Sequence, residues 1–121
     1  MSLTPLTDGR HGWPFGSPVA DVTRHGYVME EFALQGTATS YRVRPGGRAP
    51  ASGLWESEPA ETAPYTTRIL VIRPADPGRF NGVAIVNWQN VTAGFDIGAP
   101  FGREIWRGYA WVGVSPDNSP M

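Results

Sequence analysis

The chain contains no cysteine and no lysine, and only two histidines. Without cysteine there is no disulfide, no thiolate nucleophile and no cysteine-ligated zinc, and the redox compartment leaves no mark. His11 and His25 sit in no paired ligand spacing, so a metal centre is not expected. All ten basic residues are arginines; against eleven acids they give a formal charge of −1, and they are scattered rather than clustered. That is not the footprint of a nucleic-acid-binding surface, and no nucleic-acid partner is expected. No stretch approaches the length of a membrane-spanning helix, and the first residues, MSLTPLTDGRHGWPFGSP, have neither a basic n-region nor an apolar h-region. A soluble protein, cytoplasmic by default and with no membrane partner, is the expectation.

What is abundant is glycine and proline, 15 and 12 of 121 residues, which favours turns and short strands over long helices. A chain of this size holds one domain at most, with a modest core. Residues 1–24 carry Pro5, Gly9, Gly12, Pro14, Gly16 and Pro18 without a sustained period and read as an irregular arm pinned by Trp13 and Phe15. The rest, 25–121, forms the domain. Apolar β-formers at 26–34 and 37–44 flank Gln35 and Gly36, which predicts a hairpin turning near Gly36 with Tyr41 and Val43 on its inward face. Four prolines and three glycines between 45 and 64 predict a long surface loop, tacked down by Leu54 and Trp55.

Two continuous apolar runs follow, Ile69 to Ile72 and Val83 to Val86, each the signature of a strand covered on both faces. The second is released by Asn81-Gly82 and ends in Asn87, Trp88, Gln89 and Asn90, a buried central strand carrying polar groups to its C-terminal end. Open α/β sheets bind ligands there, so function is sought at this point. Pro100 suits a first helical position, Phe101 and Ile105 share a face, and Gly108 suits the residue after a helix; YAWVGV at 109–114 is a further strand. Strand, helix 100–107 and strand make a βαβ unit with an expected right-handed crossover.

The segments GYVMEEFALQGTATSY, YTTRILVIRPADPGRFNGVAIVNWQNV and RGYAWVGVS resemble the N-terminal part of a bacterial family of esterase-like α/β hydrolases, over nearly the whole chain from about Gly12 to Ser115. The resemblance implies an α/β fold: the opening portion of an α/β-hydrolase domain, an antiparallel hairpin leading into a mixed, largely parallel sheet with one βαβ crossover. Strands at 68–74 and 83–88 would pair directly by succession alone. The family pattern inserts the strand at 109–114 between them. It also implies a serine nucleophile, acid and histidine in that order further along, and a small-molecule ester as substrate.

The triad is not expected within these residues, and no cofactor is required. What the chain contributes by position is an oxyanion donor from the loop after strand 83–88, with the backbone N–H of Asn90 or Val91 as candidates. The plainer alternative is that Asn87 and Asn90 satisfy backbone groups at a strand end. Trp88 and Gln89 are candidate substrate contacts, although core packing is the simpler reading for Trp88, Trp106 and Trp111. Gly113-Val114-Ser115-Pro116-Asp117 falls one glycine short of a nucleophile elbow, and Pro116 has no N–H to donate, so Ser115 is set aside. His11 and His25 read as loop histidines, Asp96 as an acid serving a helix N-terminus, and the sequon at 90–92 as chance.

Alone, residues 1–121 would then be inactive. A free-standing β-rich binding module is the rival reading, as is a subunit completed by another chain, because a truncated parallel sheet leaves strand 83–88 as an open edge prone to self-association.

Overall fold

The computed structural model describes residues 1–8, 21–47, 50–90, 96 and 102–116. They build a sheet of five strands: β1 (Ser2–Leu6), β2 (Tyr27–Val43), β3 (Ser57–Pro74), β4 (Ala84–Trp88) and β5 (Ala110–Val114), in the spatial order β1-β2-β3-β5-β4. β3 is antiparallel to both β2 and β5, and β4 is parallel to β5. The strand at 109–114 thus lies between its two predecessors, as the family pattern implied, and the parallel pair departs from an all-antiparallel sandwich. No helix among the described residues is long and apolar enough to cross a membrane.

The long β2–β3 ribbon corrects four expectations. Gly36 is not at a turn. It pairs with Tyr65 in mid-strand, and a Cβ there would lie 2.7 Å from the Tyr65 hydroxyl, so its missing side chain admits a cross-strand aromatic ring. The chain reverses between Val43 and Ser57, and the supposed loop continues as strand from 57 onward despite Pro59 and Pro64. Prolines are tolerated because the ribbon here has open edges. A register shift between Thr39 and Tyr41 is stitched by Ser40, whose hydroxyl donates to the Glu61 carbonyl and accepts from the Glu61 amide. Tyr41 and Val43 are exposed rather than inward, and so are Leu54 and Trp55.

At the other end of the chain order, residues 2–6 are not irregular but pair with 31–35 as an edge strand. Residues 9–20 of the expected arm, including His11, Trp13 and Phe15, lie outside the described residues, and a short 3-10 turn at Val22–His25 follows them.

The core lies against one face of the sheet: Val22, Tyr27, Leu70, Ile72, Ile105 and Trp111, with Met29, Trp106 and Tyr109 packed beside them. The expected helix 100–107 is described only in its last part, a 3-10 turn at Arg103–Trp106, and Pro100 and Phe101 lie outside the described residues. Tyr27 locks that turn to the sheet, its hydroxyl donating to the Ile105 carbonyl at 2.8 Å and accepting from the Gly108 amide at 2.9 Å. Gly108 has φ 96°, as a residue just past a helical turn requires.

β4 is the largest correction. Expected to be covered on both faces, it leaves Val86 66% and Trp88 72% exposed, while its place as the outermost described strand, next to β5, is the open edge that the reading of a truncated sheet expected. An unbroken run of four apolar residues has no period from which to tell a two-sided central strand from an edge.

Candidate functional site

Residues that are partners across a sheet project to the same side. Glu31 lies opposite Leu70, Ala33 opposite Arg68, Leu70 opposite Gly113, and Gly113 opposite Asn87. With the two-residue alternation of strands, Glu31, Arg68, Gly113, Ser115, Asn87 and Gln89 therefore share one face, the core face, beyond its apolar part. Glu31, Gln89, Asp96 and Ser115 are the buried polar residues of the described structure. All of them gather where the parallel strands β4 and β5 end.

The backbone ties this corner together. The Gln89 amide donates to the Val114 carbonyl at 2.9 Å, prolonging the β4–β5 pairing by one residue. The Ser115 amide donates to the Arg68 carbonyl at 2.9 Å, and the Thr67 hydroxyl donates to the Ser115 carbonyl. The Gln89 side chain, 4% exposed, lies across Gly113: a Cβ at that glycine would meet Gln89 Nε2 at 2.3 Å and the Trp111 ring at 2.5 Å. Gly113→Ala is accordingly expected to force Gln89 and Trp111 apart and cost about 1–3 kcal/mol, read as a lower denaturant midpoint at unchanged m-value.

Behind Gln89 stands an ion-paired cluster that sequence reading did not find. Arg68 Nε lies 2.9 Å from Glu31 Oε1, and Arg68 Nη2 lies 2.9 Å from Asp96 Oδ2. The carboxylate side chains are 4% and 5% exposed. Two carboxylates thus share a single guanidinium fork, a geometry that arginine's planar donors suit and a lysine ammonium would not reproduce. Among the described residues, Asp96 Oδ1 is buried without a partner. Asp96 serves this ion pair; the helix N-terminus that its position before Pro100 implied falls outside the described residues. The signal for the cluster was available in the alternation of β2, where Tyr27, Met29 and Ala33 put Glu31 on the inward side; the missing element was the register that sets it near Arg68.

Of the residues singled out from sequence, the structure brings Gln89 into this corner and leaves Trp88 on the opposite, exposed face, against the core-packing reading. Trp111 is in the core and Trp106 packs against it, as expected. Asn90 follows Gln89 and is exposed; Val91 lies outside the described residues. Ser115 is buried, and its amide is committed to Arg68. His25 stacks on Trp106, ring centroids 4.2 Å apart and planes within 4°, at the end of the sheet marked by Tyr27 and Pro74. From there to Arg68 is six residues of strand, about 20 Å at the usual rise per residue. No serine and histidine meet at the corner among the described residues.

No curated protein and no solved structure matches the chain. The family model described as alpha/beta hydrolase domain matches residues 2–120, almost the entire length. On that match the chain belongs to the alpha/beta hydrolase domain family.

Proposed function

We propose that residues 1–121 supply the core strands and the oxyanion loop of a serine hydrolase that cleaves small carboxylic esters through an acyl-serine, with nucleophile, acid and histidine contributed from outside these residues. The observation that carries the reading is the gathering of every buried polar residue among those described at the carboxyl ends of β4 and β5. Open α/β sheets bind ligands at that end. The loop leaving β4 there would present the backbone N–H of Asn90 or Val91 to the developing oxyanion, where a preorganised donor counts for most because water is displaced. Gln89 would fix the loop's departure, and Trp88 would offer an aromatic surface to the acyl or alcohol part of the substrate.

The chemistry divides accordingly. Attack by a serine oxygen on the ester carbonyl carbon places negative charge on the carbonyl oxygen, and the loop's task is to stabilise that charge. Purified residues 1–121 are therefore expected to hydrolyse p-nitrophenyl acetate no faster than buffer does. Turnover that disappears in Ser115→Ala would overturn the reading, because it would put the nucleophile inside these residues.

The exposed edge favours one second reading, a subunit completed by another chain. Ile85, Val86 and Trp88 are exposed on β4, with Val83 just before it, and among the described residues the outer backbone edge of this strand is unpaired and invites pairing. Size-exclusion chromatography decides it: concentration-dependent dimers that Val86→Lys dissociates support it, and a monomer at all concentrations counts against it.

A further inference from the structure

We propose that the outer edge of β2 from Thr37 to Val43 is a homodimer interface, where it pairs antiparallel with the same segment of a second copy. β2 and β3 run on together well past the other strands. β1 covers the outer edge of β2 only as far as Gln35, and β5 covers that of β3 only from Ile69 onward. Among the described residues, 36–43 and 57–64 therefore form a two-stranded ribbon with both edges open, and all of them but Gly36 and Glu58 are exposed. Such a ribbon is marginal in water on its own. Its two edges are not alike.

Proline shows which backbone groups face outward. Pro64 and Pro59 stay paired with Thr37 and Tyr41, and a proline holds such a place only where its missing N–H would have pointed away from the partner. The β3 edge therefore lacks two donors, and its strand carries Glu58 and Glu61, both devices that discourage strand addition. By the alternation of an antiparallel ladder, Thr37, Thr39 and Tyr41 turn their N–H and C=O groups outward, in the phase that Pro5 opposite Phe32 sets for β1. No proline blunts this edge. Its one charge, Arg42, is held by Glu58 of its own ribbon, Nη2 to Oε1 at 2.8 Å.

The segment is complementary to itself. A two-fold axis through Ser40 sets Thr39 opposite Tyr41, Ala38 opposite Arg42 and Thr37 opposite Val43 of the second copy, with like faces of the two ribbons on the same side. Tyrosine or valine beside threonine is a favourable cross-strand pair, and each Arg42 meets an alanine rather than the other arginine. The turn that starts at Arg44 takes the second ribbon out of the row before it reaches Ser2, so β1 does not block a copy. That turn brings the ribbon tip, with exposed Leu54 and Trp55, beside β1 of the other copy, where Met1 and Leu3 are exposed. Tyr41 and Trp55, 66% and 60% exposed, each leave on the order of 100 Å² to cover. With these apolar side chains and the paired backbone of 37–43, the dimer approaches the roughly 800 Å² per partner of a stable interface.

Sedimentation velocity over a concentration series reaching the millimolar range tests the proposal, and wild type is expected to pass from monomer to dimer as concentration rises. Thr39→Pro removes one outward N–H, in the kind of place that Pro59 and Pro64 already occupy, so the ribbon itself is expected to persist. The dimer loses two hydrogen bonds, one from each copy, and its dissociation constant is expected to rise about tenfold or more. Tyr41→Lys leaves every backbone group in place and is expected to weaken dimerisation as well, which keeps the test decisive should Thr39→Pro fail to fold. Val86→Lys, on β4, is expected to dimerise like wild type. A wild-type monomer at every concentration would overturn the proposal. So would a dimer that Val86→Lys dissociates while Tyr41→Lys and folded Thr39→Pro leave it intact, because that result places the contact at β4.

Discussion

Arg68→Met is expected to destabilise the protein by about 3–5 kcal/mol, the usual cost of leaving the remaining partners of a buried ion pair without their counter-charge. Methionine keeps most of the stem and its packing but removes the fork. Glu31 and Asp96, both nearly inaccessible, would then face each other's charge without the guanidinium at 2.9 Å from each. Domains of this size carry only about 5–15 kcal/mol in total, so the loss takes up a large part of the margin. The same logic predicts a rescue. Adding Glu31→Gln and Asp96→Asn to Arg68→Met removes the charges that made the single change costly, and the triple variant is expected to recover at least half of the loss, because replacing a whole buried ion cluster by neutral groups is often close to neutral. Urea unfolding followed by tryptophan fluorescence measures both. A single variant that unfolds at the wild-type midpoint would mean that the cluster is not formed in solution.

Gly108→Ala carries the second large effect, about 3 kcal/mol or more, from two sources that act together. The residue has φ 96°, where an alanine is strained, and a Cβ would stand 2.4 Å from the backbone carbonyl oxygen of Arg79. That oxygen has little freedom to retreat. Arg79 and Phe80 belong to a turn whose amides bond to Asp76 and Pro77, and the next residue, Asn81, donates its amide to the Gly108 carbonyl at 2.9 Å. Asn81 also accepts the Val83 amide on its side chain, so the same small knot launches β4. The consequence reaches the site through the strand: a displaced Asn81 shifts the start of β4, and Gln89 sits at its far end. Gly46→Ala, at φ 80° but with open space around the Cβ, is the control that isolates the backbone part of the penalty. Equal destabilisation of the two variants would mean that the contact with Arg79 contributes nothing.

The strands at 69–72, 83–88 and 109–114 were legible because runs of β-branched and apolar residues stopped by Pro, Gly or Asn leave few other structures open. Their order was not legible from periodicity. Succession alone pairs β3 with β4, and only the family pattern inserted β5 between them. The ribbon was misread because glycine and proline were taken as punctuation. Gly36 proved to be a place where Tyr65 crosses the strand, and Pro59 and Pro64 sit in a ribbon with free edges, where a missing N–H costs little. That β4 is an edge followed from truncation, but the exposure of Val86 and Trp88 on its face was hidden, because an apolar residue on an open face and one in a core look alike in a one-dimensional pattern. Of the site, Gln89 could be found from its place at a strand end, but Glu31, Arg68 and Asp96 are far apart in sequence, and their meeting is a product of register.

Register also limits how the function can be tested. Side-chain changes at Asn90 or Val91 leave the backbone donor in place, so alanine scanning does not interrogate it. Replacing the amide N–H at Asn90 or at Val91 by an ester oxygen does, one position at a time, in a protein with its nucleophile present and p-nitrophenyl acetate as substrate. The account predicts that one of the two substitutions lowers kcat by about 10²–10³ with KM little changed, the cost of losing one oxyanion donor. Unchanged kcat in both would contradict it.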